Sequence, residues 1–196
     1  MTETAKKFLN ISIWVSIILF ALRCWISWET LTQLVNANII AEFGYSLFAY
    51  AGDAIGIAAL FMAGFNKFLW RWEPINIITG RMPILSKKYK GTIKFEYEGK
   101  KQTRILEMMI EQSFLNVSVR IKTSESSSNS LTAIIETVDS ERQLIYTYIN
   151  VPRAEIQNRS AVHYGTAMMR VDDPKCLTGN YYTMRLSRGS MQLNAE

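Results

Sequence analysis

The chain of 196 residues carries a formal net charge of +5, two cysteines and a single histidine. That length holds one domain with an appendage, or two small domains. Cys24 and Cys176 form no CxxC pair and His163 stands alone, which excludes a disulfide framework, a zinc site and a multi-histidine metal centre; the modest charge is not gathered into a basic arm, so DNA and RNA are not expected partners.

The first 72 residues are mostly apolar, and the remainder alternates polar and apolar residues. Lys6 and Lys7 precede an apolar run over 8–28, too long for a signal-peptide core and followed by no small-residue cleavage site. It reads as a membrane span, with Trp25 and Trp28 in the interfacial belt. Arg23 lies about a turn from its end and either snorkels to the interface or pairs with Asp53 of the next span. Residues 29–42 read as a short loop with two acids and no Lys or Arg. The second span, 43–65, is long enough to cross a bilayer and carries Asp53 near its middle. A carboxylate at that depth faces protein or water rather than lipid. Several copies of it would line a polar path or be neutralised in a helix interface; alternatively it is hydrogen-bonded within its own hairpin. Gly44, Gly52, Gly56 and Gly64 fall on one helical stripe, and Gly52 and Gly56 make a GxxxG pair that lets helix backbones approach. Lys67, Arg71, Arg81, Lys87 and Lys88 follow. The positive-inside rule then predicts a two-helix transmembrane domain over 1–72 with both termini cytoplasmic. The absence of paired cysteines agrees with a cytosolic C-terminal part.

Residues 73–90, with Pro74, Gly80 and Pro83, read as a linker. From 91 to 196 the period becomes two. Strands are predicted over 92–97, 103–109, 114–123, 130–138, 144–150, 161–171, 177–186 and 190–193, separated by turn chemistry at Glu98-Gly99, 124–129, Asp139-Ser140, Pro152, 172–174 and Gly189. The serine-rich 124–130 reads as a hairpin loop. Eight short antiparallel strands predict a small closed barrel or sandwich. A closed eight-stranded barrel has an interior that side chains fill or that holds one small ligand. The fold class is therefore membrane plus all-β.

Alternation puts Tyr146, Tyr148 and Asn150 on one strand face, and Tyr181, Thr183 and Arg185 on another. Tyrosines stack on bases and a guanidinium forks onto phosphate, so these faces make a candidate nucleotide pocket. His163, in a strand without a neighbouring nucleophile motif, reads as a hydrogen-bonded structural group. No GxSxG, HExxH, Walker or dinucleotide-binding motif is present, and the chain reads as a non-enzyme without a cofactor.

Several motifs in order, LIYTYINVP at 144–152, AVHYGT at 161–166 and LTGNYYTMRLSRGSMQL at 177–193, preceded by two spans, resemble one bacterial family. These are the two-transmembrane, β-strand-rich effectors of cyclic-oligonucleotide-based anti-phage signalling (CBASS). The resemblance implies an eight-stranded barrel that binds a cyclic dinucleotide made by a partner nucleotidyltransferase. It further implies self-association in the inner membrane, disruption of that bilayer and abortive infection. It carries the Tyr-x-Tyr-x-Asn-x-Pro run onto Tyr146, Tyr148, Asn150 and Pro152, the His-x-Gly run onto His163 and Gly165, and the Gly-x-Tyr-x-Thr-x-Arg run onto Gly179, Tyr181, Thr183 and Arg185. Phe114 departs from the pattern, where a tryptophan is expected. The expected ligand contacts are Tyr146, Tyr148, Asn150, Tyr181, Thr183 and Arg185; the expected membrane-assembly residues are Arg23, Gly52, Asp53 and Gly56. Two other readings compete: a tethered protein-interaction module, and a lipid-carrying barrel of the lipocalin type.

Overall fold

The computed structural model describes residues 2–97, 100–158 and 160–196, in two compact units, 1–80 and 81–196. In the first unit, α1 (Glu3–Ile26) is capped by the Thr2 hydroxyl, which accepts from the Ala5 amide at 3.3 Å. After α2 (Trp28–Asn36) comes α3 (Ile40–Lys67), then a short 3-10 turn and α4 (Glu73–Ile78). At about 1.5 Å per residue, the 24 residues of α1 and 28 of α3 exceed the hydrocarbon thickness of about 30 Å. Both are long and apolar enough to cross a membrane.

α1 packs along α3, whose buried face is Ala54, Ala58, Met62 and Phe65, spaced three or four apart as one helical stripe requires. Residues 29–42 are not a plain loop: most of them form α2, whose Leu31 is buried while its polar residues stay out. Within 73–90 lie α4 and the first residues of β1. Gly80 (φ +101°) and Arg81 (φ +52°) have left-handed backbone.

The second unit is a closed barrel of eight strands in sequence order, all neighbours antiparallel. They are β1 (Lys88–Tyr97), β2 (Lys100–Gln112), β3 (Val117–Thr123), β4 (Ser126–Val138), β5 (Glu141–Pro152), β6 (His163–Arg170), β7 (Cys176–Thr183) and β8 (Arg188–Ala195). Each predicted strand is present, but residues 114–116, 161, 162, 171 and 184–186, expected in strands, lie in the links. The Glu98-Gly99 turn lies outside the described residues. The predicted serine loop is a correction: residues 126–130 are strand, paired with both β3 and β5. Their hydroxyls serve the sheet, as where Ser130 Oγ accepts from the Val119 amide at 3.0 Å beside a bulge at Leu131. Asp139 and Ser140, at φ +50° and +68°, form the two-residue primed turn that suits strand twist.

Inward side chains alternate along every strand, giving a core of Leu106, Met108, Leu144, Met169, Leu177 and Leu193. In this up-and-down order the links β1–β2, β3–β4, β5–β6 and β7–β8 share one end. The chain enters β1 at the other end, which is sealed. There Tyr89 donates to the Pro174 carbonyl at 2.7 Å and accepts from the Ser86 amide at 2.8 Å, while Gln112 holds Leu85 and Pro83. Phe114, where the family pattern has tryptophan, is fully packed. Among the described residues the barrel is thus a blind cup, open at the end of the β3–β4, β5–β6 and β7–β8 links.

Candidate functional site

A cavity of about 240 Å³ occupies the open end of the barrel. Tyr146 and Tyr148 from β5 and Tyr181 from β7 form its deep wall, with Ile93 and Phe95 from β1 and Ile121 from β3 opposite. Nearer the mouth are Arg104, Glu125, Ser128, Asn150, Ser160, His163, Thr183 and Arg185. All six residues expected to contact ligand line this one cavity.

Two glycines seat the tyrosines. A Cβ on Gly165 would lie 2.5 Å from the Tyr148 ring, and one on Gly189 2.7 Å from the Tyr181 ring. The cross-strand registers Tyr148↔Gly165 and Tyr181↔Gly189 show why: each tyrosine sits directly opposite its glycine on the neighbouring strand. The Tyr146 and Tyr148 rings are tilted against each other with centroids 5.9 Å apart.

Tyr146, at the floor, is 1% exposed, and its Oη is buried with no hydrogen-bond partner among the described residues. Left without any partner, such a hydroxyl costs on the order of 1–3 kcal/mol. Burial pushes the phenols of Tyr146 and Tyr148 well above the usual tyrosine range, each reinforced by a neighbouring tyrosine. Burial raises Tyr181 to about 12, against the lowering pull of the Arg104 guanidinium. At neutral pH all three present neutral O–H groups.

Asn150 is held on both sides. Ser128 Oγ donates to its Oδ1 at 3.3 Å, and its Nδ2 lies 3.3 Å from His163 Nε2. His163 Nδ1 lies 2.9 Å from the Ala161 carbonyl, which only accepts, so Nδ1 carries the proton and Nε2 accepts from Asn150. The histidine is a hydrogen-bonded structural group that fixes the amide's polarity; one N–H and one lone pair of Asn150 stay available to the cavity.

Two placements differ from the expectation. Arg185 is not on a strand: β7 ends at Thr183, and the left-handed Leu186 (φ +60°) closes the turn into β8. From that turn Arg185 still reaches the cavity wall and donates to Ser160 Oγ at 2.6 Å. The Thr183 hydroxyl is engaged within the same turn, 2.7 Å from Ser187 Oγ. Arg104 and Glu125 were not among the expected residues. Arg104 shares the inward parity of Leu106, Met108 and Ile110, which is the signal that would have found it. The two side chains are ion-paired in the cavity wall, with Arg104 stacked 5.2 Å over the Phe95 ring. A depression on the outer wall around Lys94, Arg170 and Gln192 is larger, about 530 Å³, but holds no buried unpaired polar atom.

In the helical unit, Arg23 faces α3. Its guanidinium lies 3.7 Å from Asp53, stacks 4.5 Å over Tyr50 and donates to Ser27 Oγ at 2.9 Å. Gly52 and Gly56 lie on the side of α3 away from its buried Ala54–Ala58 face, and a Cβ on either would meet nothing within 4 Å. No group of metal-ligating side chains occurs among the described residues.

The profile of the family described as Cap15, cyclic dinucleotide receptor domain, matches residues 81–195, which is the barrel unit to within one residue of its end. Over the whole chain, the CD-NTase-associated protein 15 of Staphylococcus schleiferi is 28% identical across 193 residues, 98% of each protein. That family is a receptor family rather than a catalytic one. The motif order, the blind barrel and the profile match converge on one assignment: the chain belongs to the Cap15 cyclic dinucleotide receptor family.

Proposed function

We propose that this chain is a CBASS-type anti-phage effector of the bacterial inner membrane, with both termini cytoplasmic. Its barrel takes up a cyclic dinucleotide from a cognate nucleotidyltransferase, and binding drives the membrane helices of several copies together. The bilayer is then disrupted and the infected cell lost. The observation that carries the ligand half is the unpartnered, buried Tyr146 hydroxyl at the floor of a cavity open at one end. At about 240 Å³ the cavity is smaller than the roughly 300–1,000 Å³ of pockets that enclose a drug-sized ligand. A cyclic dinucleotide therefore inserts one base end among Tyr146, Tyr148 and Tyr181 and leaves its phosphates near the rim. There Arg185 supplies a guanidinium fork, and the free edge of Asn150 reads a base. Thr183 supports the rim through the turn it bonds.

The membrane half is supported by α3. Its Gly52–Gly56 face is uncovered and smooth, suited to close approach of a helix from another copy. The Arg23–Asp53 pair within one hairpin leaves two opposed charges that can exchange partners between copies. Coupling needs only that ligand bind the assembled state better than the separate one.

The test is calorimetric titration of the full chain in detergent micelles against a panel of cyclic dinucleotides, followed by dye release from vesicles. Selective binding that Arg185→Ala weakens at least tenfold, and ligand-dependent release, are expected. Gly52→Leu with Gly56→Leu should keep the binding and lose the release. A folded chain that binds no member of the panel would instead be a tethered interaction module.

A further inference from the structure

We propose that Arg104 is a second phosphate-binding group of the cavity, and that the Glu125 carboxylate occupies it in the ligand-free protein as a resident competitor. The inference rests on the cyclic dinucleotide reading above and adds to it a residue pair that the sequence motifs do not contain.

The first ground is charge balance. Among the described residues, the ionised side chains on the cavity wall are Glu96, Arg104, Glu125 and Arg185, whose charges cancel. A cyclic dinucleotide brings two phosphodiester charges. Burying a dianion beside the Glu96 and Glu125 carboxylates is opposed by desolvation and like-charge repulsion unless a carboxylate gives way.

The second ground is what each cation already holds. Arg185 donates to a neutral hydroxyl, Ser160 Oγ, at 2.6 Å, and needs no carboxylate to leave before it meets a phosphate. Arg104 is held by Glu125, both side chains about 30% exposed (30% and 31%) and so reachable from the mouth. The two oxygens of a carboxylate and the two non-bridging oxygens of a phosphodiester fit the same face of a guanidinium fork. Glu125 thus stands where a phosphate would stand.

The third ground is that exchange is local. Glu125 lies in the two-residue link between β3 and β4, and its backbone is anchored. Its amide donates to Thr123 Oγ1 at 3.2 Å, and its carbonyl accepts from the Arg153 amide at 2.9 Å. Only the side chain need swing out for a phosphate to replace it. Arg104 stays in place, stacked over Phe95.

The consequence is unusual for the loss of an ion pair: removing the carboxylate should improve ligand binding. The experiment is calorimetric titration of the full chain in detergent micelles with whichever cyclic dinucleotide of a panel the wild type binds best. Glu125→Gln is expected to tighten binding about tenfold, and Arg104→Gln to weaken it at least tenfold. The double variant should bind no tighter than Arg104→Gln, because the gain from removing the carboxylate depends on the Arg104 guanidinium it frees. Glu125→Ala is read in the same way if Glu125→Gln folds poorly, as judged by its melting temperature. Wild-type binding that Arg185→Ala weakens, combined with unchanged or weaker binding in folded Glu125→Gln and Glu125→Ala, would overturn this inference and leave the cavity reading intact. Absence of wild-type binding to the whole panel would overturn both.

Discussion

Replacing Tyr146 by Phe removes one oxygen from the floor of the cavity and leaves its ring, 1% exposed, in place. In the ligand-free protein that oxygen has no hydrogen-bond partner among the described residues, so its removal breaks no bond. A buried hydroxyl left unpaired costs on the order of 1–3 kcal/mol, and the lower figure is the cautious one for a site beside a cavity. The variant should therefore be about 1 kcal/mol more stable without ligand. For a barrel of this size that raises the melting temperature by roughly 4 °C. With ligand the sign reverses. A hydrogen bond contributes about 0.5–1.5 kcal/mol net, so affinity should fall roughly two- to twelvefold. Thermal melts of the full chain with and without saturating cyclic dinucleotide measure both effects at once: the baseline rises and the ligand-induced shift shrinks. If the ligand-free variant were instead 1 kcal/mol less stable, the hydroxyl would have a partner. If affinity were unchanged, the ligand would not reach the floor.

The same substitution changes the alkaline limit. The Tyr146 pKa in the folded barrel lies above its unfolded value of about 10, so the folded state binds more protons above that pH. Its contribution is complete below pH 10 and is lost as pH rises from there towards the folded value. On this account wild-type stability should fall by about 1 kcal/mol between pH 10 and 11, and Tyr146→Phe should remove that part of the loss in denaturant titrations over the same range. Gly165→Ala places a methyl 2.5 Å from the Tyr148 ring and 2.7 Å from the Tyr182 carbonyl. Overpacking of that kind costs about 1–3 kcal/mol, and it should displace Tyr148 and weaken ligand binding, as melts and calorimetry would report. An alanine there that left both unchanged would refute the close packing.

The barrel was legible in the sequence because period-two alternation survives in every strand, and turn residues punctuate it. The parts that were not legible failed for identifiable reasons. Serine has weak strand propensity, so 126–130 reads as loop, yet tertiary pairing with β3 and β5 overrides that preference. In α2 Glu29, Gln33, Asn36 and two threonines read as a polar loop and hide Leu31 and Leu34, which sit a helical turn apart. Tyr146, Tyr148 and Tyr181 were found because inward parity is a local property. Arg104 was missed since it sits among Lys101, Gln102 and Thr103, which look like a solvated face until the parity of Leu106 is extended back towards the strand's start. Arg185 lines the cavity from a turn rather than from the expected strand, because nothing in the residue types announces that the chain turns at Leu186.

The sealed end of the cup, closed by Tyr89, Leu85 and Gln112, leaves the cavity a single doorway. Whatever enters must leave by the same route, past the same hairpins. Residence time is then set by the doorway's furniture more than by the depth of the well behind it. The β3–β4, β5–β6 and β7–β8 links, of two, ten and four residues, frame that doorway, and changes there alter passage without touching the end where the chain enters the barrel.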